Sequence, residues 1–126
     1  MPFDWNQYMV LAEELALRPD EASKRSAISR AYYSVYHRAL DRVVQKSGPC
    51  PPKQSTHTWC WGKYQSTNDL TCYELGNTGS RMKRRRQSAD YDRNIPRLDD
   101  ELRLTLEAAR QFPTDLAALD AQYPTR

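Results

Sequence analysis

The sequence predicts an all-α fold: an up-and-down bundle of four to five helices making one domain over residues 1–126. Three observations lead there. Apolar residues recur at three- and four-residue spacing through every long segment, and no stretch alternates with period two for long enough to form a strand. Runs of β-branched residues are absent, and there are only 4 glycines to punctuate hairpins. The first two long segments begin at capping residues and end at Pro or Gly, the usual punctuation of helices.

A chain of 126 residues can bury a core without disulfide staples. Only 39% of the residues are apolar, so the 8 Tyr and 3 Trp must supply much of that core's bulk.

The first helix is expected from about Asp4, a capping residue, to Leu17, with Trp5, Tyr8, Met9, Ala12, Leu15 and Ala16 on its apolar side and Pro19 as its stop. The second has Asp20 as N-cap and continues to about Ser47, where Gly48, Pro49, Pro51 and Pro52 end it. Its inward stripe is Ile28, Ala31, Tyr32, Val35, Ala39 and Val43. After a loop at 48–56, a short helix from His57 to Gln65 carries Trp59 and Trp61. The next runs from Leu70 to Tyr91, with Leu75, Met82 and Ala89 inside. Gly76 and Gly79 weaken it by up to about 1 kcal/mol each and mark where it can break. Pro96 opens a last long helix over Arg97–Gln111, with Leu98, Leu102, Thr105, Leu106 and Ala109 on its apolar face. Thr114 is placed to cap a separate terminal turn reaching Leu119.

The polar face of the second helix holds the candidate site. With Ile28 at the origin of the wheel, Arg30 falls at about 200° and His37 at about 180°, opposite the apolar stripe. Ser34 at about 240° and Asp41 at about 220° flank them, and Tyr33 at about 140° borders them. Arg30 and His37 are almost two turns apart, about 10 Å along the axis. An imidazole titrates near neutrality and can pass a proton either way, while a guanidinium can clamp a phosphate and stabilise charge on its oxygens. Asp41, one turn after His37, can orient the ring or raise its pKa. In RNA the 2′-hydroxyl is the nucleophile, so these groups suffice in kind for phosphodiester cleavage without a metal. One helix builds only half of such a site, and two copies across a twofold axis would complete it. The alternative is an ordinary solvated helix face.

The run Ser26-Ala27-Ile28-Ser29-Arg30-Ala31-Tyr32-Tyr33-Ser34-Val35-Tyr36-His37 resembles the HEPN superfamily (higher eukaryotes and prokaryotes nucleotide-binding), whose motif is Arg-x(4–6)-His. Arg-Ala-Tyr-Tyr followed by His is similar to one prokaryotic branch. Arg86-Gln87-Ser88-Ala89-Asp90-Tyr91-Asp92 resembles the Arg-x-x-Ala-Asp-Tyr end of that branch's penultimate helix. The resemblance spans roughly residues 5–112. It implies a HEPN-like bundle and a metal-independent endoribonuclease of a prokaryotic toxin or defence system, with Arg30, His37, Ser34 and Asp41 as the catalytic set. It also implies a homodimer, and as partners RNA and either an antitoxin resembling a nucleotidyltransferase or a larger effector protein. Ala31 departs from the polar residue that often follows the Arg in catalytic members. This favours the alternative, a non-catalytic small subunit that binds RNA or a partner protein within a larger, CRISPR-like complex. An adaptor that binds neither RNA nor nucleotide is a third reading.

Other features fit around that reading. Net charge is only +3, so a nucleic-acid interface must come from local clustering. Arg81, Lys83, Arg84 and Arg85, with Tyr33, are the candidate RNA contacts, although the basic run would wind around most of its helix. Arg86 falls near the inward stripe, with Asp90 one turn away as its partner. Trp59, Cys60 and Trp61 suit either core packing or base stacking. Cys50, His57, Cys60 and Cys72 lack a CxxC pair, so no metal or cofactor is expected. Three cysteines make no disulfide framework, and the opening Met-Pro-Phe-Asp-Trp does not read as a signal peptide. No apolar run approaches the roughly 20 residues of a membrane span. The expected location is the cytoplasm.

Overall fold

A computed structural model describes residues 2–123, which form five α-helices and, among the described residues, no strand. They are α1 (Asn6–Ala16), α2 (Glu21–Ser47), α3 (Thr56–Gln65), α4 (Leu70–Tyr91) and α5 (Leu98–Gln122). The all-helical bundle is as the sequence predicts.

Side-chain caps set three of the starts. Asp20, Ser55 and Asp69 each accept the backbone N–H three residues on, from Ser23, Thr58 and Cys72. Asp4 differs from expectation. The residue at the cap position of α1 is Trp5, already helical and without a side-chain cap bond, while Asp4 accepts the Asn6 N–H at 2.9 Å from just outside.

The long α2 is the central element. It packs against α1, α4 and α5, while α3 lies chiefly on α4. Ile28, Tyr32, Val35, Trp61, Tyr64, Met82, Phe112 and Leu119 are the largest apolar side chains sealed between them. Trp61 and Tyr64 are therefore core residues. Each also satisfies its polar atom, Trp61 Nε1 donating to the Tyr32 hydroxyl at 3.0 Å and Tyr64 to the Ala39 carbonyl at 2.9 Å.

Two expectations about helix ends are corrected. Gly76 and Gly79 do not break α4. They let α3 approach it: a Cβ on Gly79 would sit 2.3 Å from two atoms of the Trp61 ring, and one on Gly76 would sit 2.8 Å from the Tyr64 Cβ. The last helix does not stop at Gln111 for a separate turn capped by Thr114. It continues through Pro113 to Gln122. Phe112, just before the proline, and Leu116 and Leu119, beyond it, extend the buried stripe. Their burial, at roughly 1.5–3 kcal/mol each, exceeds the ~3 kcal/mol cost of an interior proline.

Candidate functional site

Arg30 and His37 lie on one unbroken helix, and both are half-buried. Their face is less open than the wheel of a single helix suggests, because the start of α1 lies along it. The Arg30 guanidinium carbon is 4.7 Å from the ring centre of Tyr8 and 5.2 Å from that of Tyr33. The His37 imidazole stacks on Trp5, with ring centres 3.6 Å apart and planes 14° from parallel. Arg30 forms no ion pair among the described residues. Its charge is held by aromatic faces, which leaves its N–H groups available to an anion.

Burial lowers the pKa of His37 below the ordinary imidazole value; Asp41 opposes this and Arg30 adds to it. The ring is thus biased toward its neutral, proton-accepting form.

The rest of the expected catalytic set separates. Asp41 is exposed and acts on His37 through its charge. Ser34 is 4% exposed, and its hydroxyl donates to the Ala31 carbonyl at 2.7 Å, beside the Met9 sulfur at 3.9 Å. It is sealed under α1, so the expectation of a hydroxyl flanking the open strip is corrected. The sealing follows from the position of α1, which covers that flank of α2.

A second imidazole joins the strip. His57, in the first turn of α3, stacks on Tyr36 with ring centres 4.0 Å apart and planes 8° from parallel. Its Nδ1 is 2.7 Å from the Tyr32 hydroxyl. That hydroxyl also accepts from Trp61 Nε1, so it ties the imidazole to the buried indole. Burial, reinforced by the charges of Arg86 and Lys83, pushes the His57 pKa down to about 4. Tyr33 neighbours both imidazoles, its ring centre 5.9 Å from each.

Arg86 closes the far side. It is 8% exposed, its guanidinium carbon is 5.5 Å from the Tyr33 ring centre, and its Nε has no hydrogen-bond partner among the described residues. Asp90, the partner expected from sequence, reaches it only at 3.4 Å. The same carboxylate oxygen is 3.5 Å from the Ser29 hydroxyl, so Asp90 also ties the end of α4 to α2.

The basic run divides. Arg81 and Arg84 are exposed, and with Arg85 they border cavities between α4 and α5; Arg85 is paired with Glu101 at 2.9 Å. Lys83 turns the other way, donating to the Thr58 hydroxyl of α3 at 3.1 Å. Of the expected RNA contacts, Lys83 and Tyr33 therefore lie with the histidines, and the three arginines do not.

His57, Trp5 and Tyr8 are the members of the strip that sequence reasoning did not place there. The wheel of α2 carries no information about which neighbouring side chains lie over it, and His57 stood out only as a neighbour of the tryptophans. Comparison with protein-family models, with curated proteins and with solved structures finds no match to this chain.

Proposed function

We propose that the chain is a metal-independent endoribonuclease of the HEPN kind, acting in the cytoplasm as a prokaryotic toxin or defence effector. The observation that carries this reading is the Arg30–His37 pair: a guanidinium without an ion pair and an imidazole biased toward neutrality, on one straight run of α2, neither sealed in the core. The two short motifs supply the family.

The chemistry follows from the groups. Neutral His37 takes the proton of a ribose 2′-hydroxyl, whose oxygen attacks the adjacent phosphorus. Arg30 holds the non-bridging oxygens as negative charge builds on them. The bond to the 5′-oxygen breaks, and that oxygen leaves with a proton. The products are a 2′,3′-cyclic phosphate and a 5′-hydroxyl. A proton donor for the leaving oxygen is supplied across a homodimer, where a second strip faces the first.

The test is cleavage of RNA in the presence of a chelator. The parent cuts, and His37→Ala and Arg30→Ala each lower the rate by about 10²–10⁴-fold. Equal cutting by all three removes the proposal.

One observation favours a second reading, a non-catalytic subunit that holds RNA within a larger complex. Trp5 covers a face of the His37 ring at stacking distance, and the residue after Arg30 is the buried Ala31. On that reading the parent binds RNA without cutting it and is harmless when expressed.

A further inference from the structure

Beside the Arg30–His37 pair the strip carries two further cations and a neutral imidazole, and the reaction above does not use them. His57, Lys83 and Arg86 come from α3 and α4; His57 and Arg86 both lie near the Tyr33 ring, and the charges of Arg86 and Lys83 act on His57. Three features set them apart from ordinary solvated charges. Arg86 is more than nine-tenths buried, yet among the described residues its Nε is unpartnered and its one carboxylate is long at 3.4 Å and shared with Ser29. Lys83 bonds a neutral hydroxyl and forms no ion pair among the described residues. His57 feels both cations, which act with burial to keep its ring neutral. A buried cation with so little compensation is unfavourable unless something anionic completes it.

The first turn of α3 adds to this field. His57 and Thr58 stand at the positive end of that helix dipole, and Ser55 caps the Thr58 N–H. Tyr33 neighbours both cations, with the Arg30 guanidinium 5.2 Å and the Arg86 guanidinium 5.5 Å from its ring centre.

We propose that His57, Lys83 and Arg86 form a second phosphate subsite, so that the strip holds two phosphates of one RNA single strand, one at Arg30 and one at Lys83 and His57. This rests on the RNA reading above and deepens it. The ligand is a strand rather than a lone phosphodiester, and Lys83 and His57 grip the phosphate that is not cut. A single strand fits because its flexible backbone can bring successive phosphates to groups that both neighbour Tyr33.

The experiment measures binding of a short labelled single-stranded RNA to the full chain across a range of salt concentrations. The proteins compared are the parent, Lys83→Ala, His57→Gln and Arg30→Ala. A lost phosphate contact lowers the slope of log affinity against log salt by about 0.7 on a single strand. Lys83→Ala and Arg30→Ala each produce that drop and weaken binding by about three- to tenfold at low salt. His57→Gln weakens binding with a smaller change in slope, because it removes a polar contact and no full charge. The His57 ring signals of the parent shift on adding RNA in a heteronuclear NMR titration. RNA binding that Arg30→Ala weakens, while Lys83→Ala and His57→Gln match the parent, overturns the subsite and leaves the RNA reading standing. A parent that binds no RNA at any salt overturns both.

Discussion

Gly79→Ala tests the packing that brings α3, and with it His57, to the strip. On helix propensity alone the change should help, since Ala is favoured over Gly by about 1 kcal/mol in a helix interior. The structure reverses the sign. The added Cβ would lie 2.3 Å from Trp61 Cε3 and Cζ3 and 2.4 Å from Cδ2. Trp61 is 1% exposed, and its indole is anchored by the hydrogen bond to Tyr32. The ring cannot step aside without losing that bond, so α3 must move away from α4. Overpacking of this kind typically costs 1–3 kcal/mol, and three contacts far inside van der Waals distance argue for the upper end. Taking about 3 kcal/mol for the clash against about 1 kcal/mol of propensity leaves a loss of about 2 kcal/mol. For a domain of this size that lowers Tm by roughly 6–10 °C. Gly62→Ala is the matched control, because its Cβ would meet nothing within 4 Å; it gains up to about 1 kcal/mol from the same propensity. Thermal and urea unfolding followed by far-UV circular dichroism measure both. A Gly79→Ala protein as stable as Gly62→Ala would refute the close approach of the two helices.

Two further outcomes concern the histidines. Trp5→Ala uncovers the His37 ring and so removes part of the burial that lowers its pKa; the pKa read by NMR rises, and an unchanged value means that the indole does not desolvate the imidazole. His57 makes stability fall with acid. Its pKa is about 4 in the folded chain against an ordinary value of 6.5, so between those values the unfolded state binds the extra proton. Stability is therefore full above about pH 6.5 and declines as pH drops toward 4. His57→Gln flattens that part of the curve, and an equally steep curve in the variant rules His57 out as its source.

Much of the helical order was legible because its signals are local. Asp20 is a capping residue whose bond reaches three positions along the same chain, and the stripe from Ile28 to Val43 needs only the helical period to be recognised. The continuation of α5 through Pro113 was not legible, because the propensity penalty is local and the compensating burial of Phe112, Leu116 and Leu119 comes from other helices. Gly76 and Gly79 were misread for the same reason. In sequence a glycine shows only its flexibility, whereas in the bundle these two matter for the volume they leave to Trp61 and Tyr64.

The candidate site divides along the same line. Arg30 and His37 share a face because they share a helix, and periodicity suffices to find that. What surrounds them depends on contacts between helices. Ser34 sits within a few tens of degrees of the pair on the wheel, yet it is sealed, because α1 rides over its side of α2. His57 is 20 positions beyond His37 in the chain, and it reaches the same tyrosines only because two glycines let α3 settle onto α4. The glycines that looked like weak points of a helix thus set the position of the second imidazole. A variant that lifts α3, such as Gly79→Ala, should disturb the His57 side of the strip before the Arg30–His37 side, which α1 and α2 hold between them without help from α3.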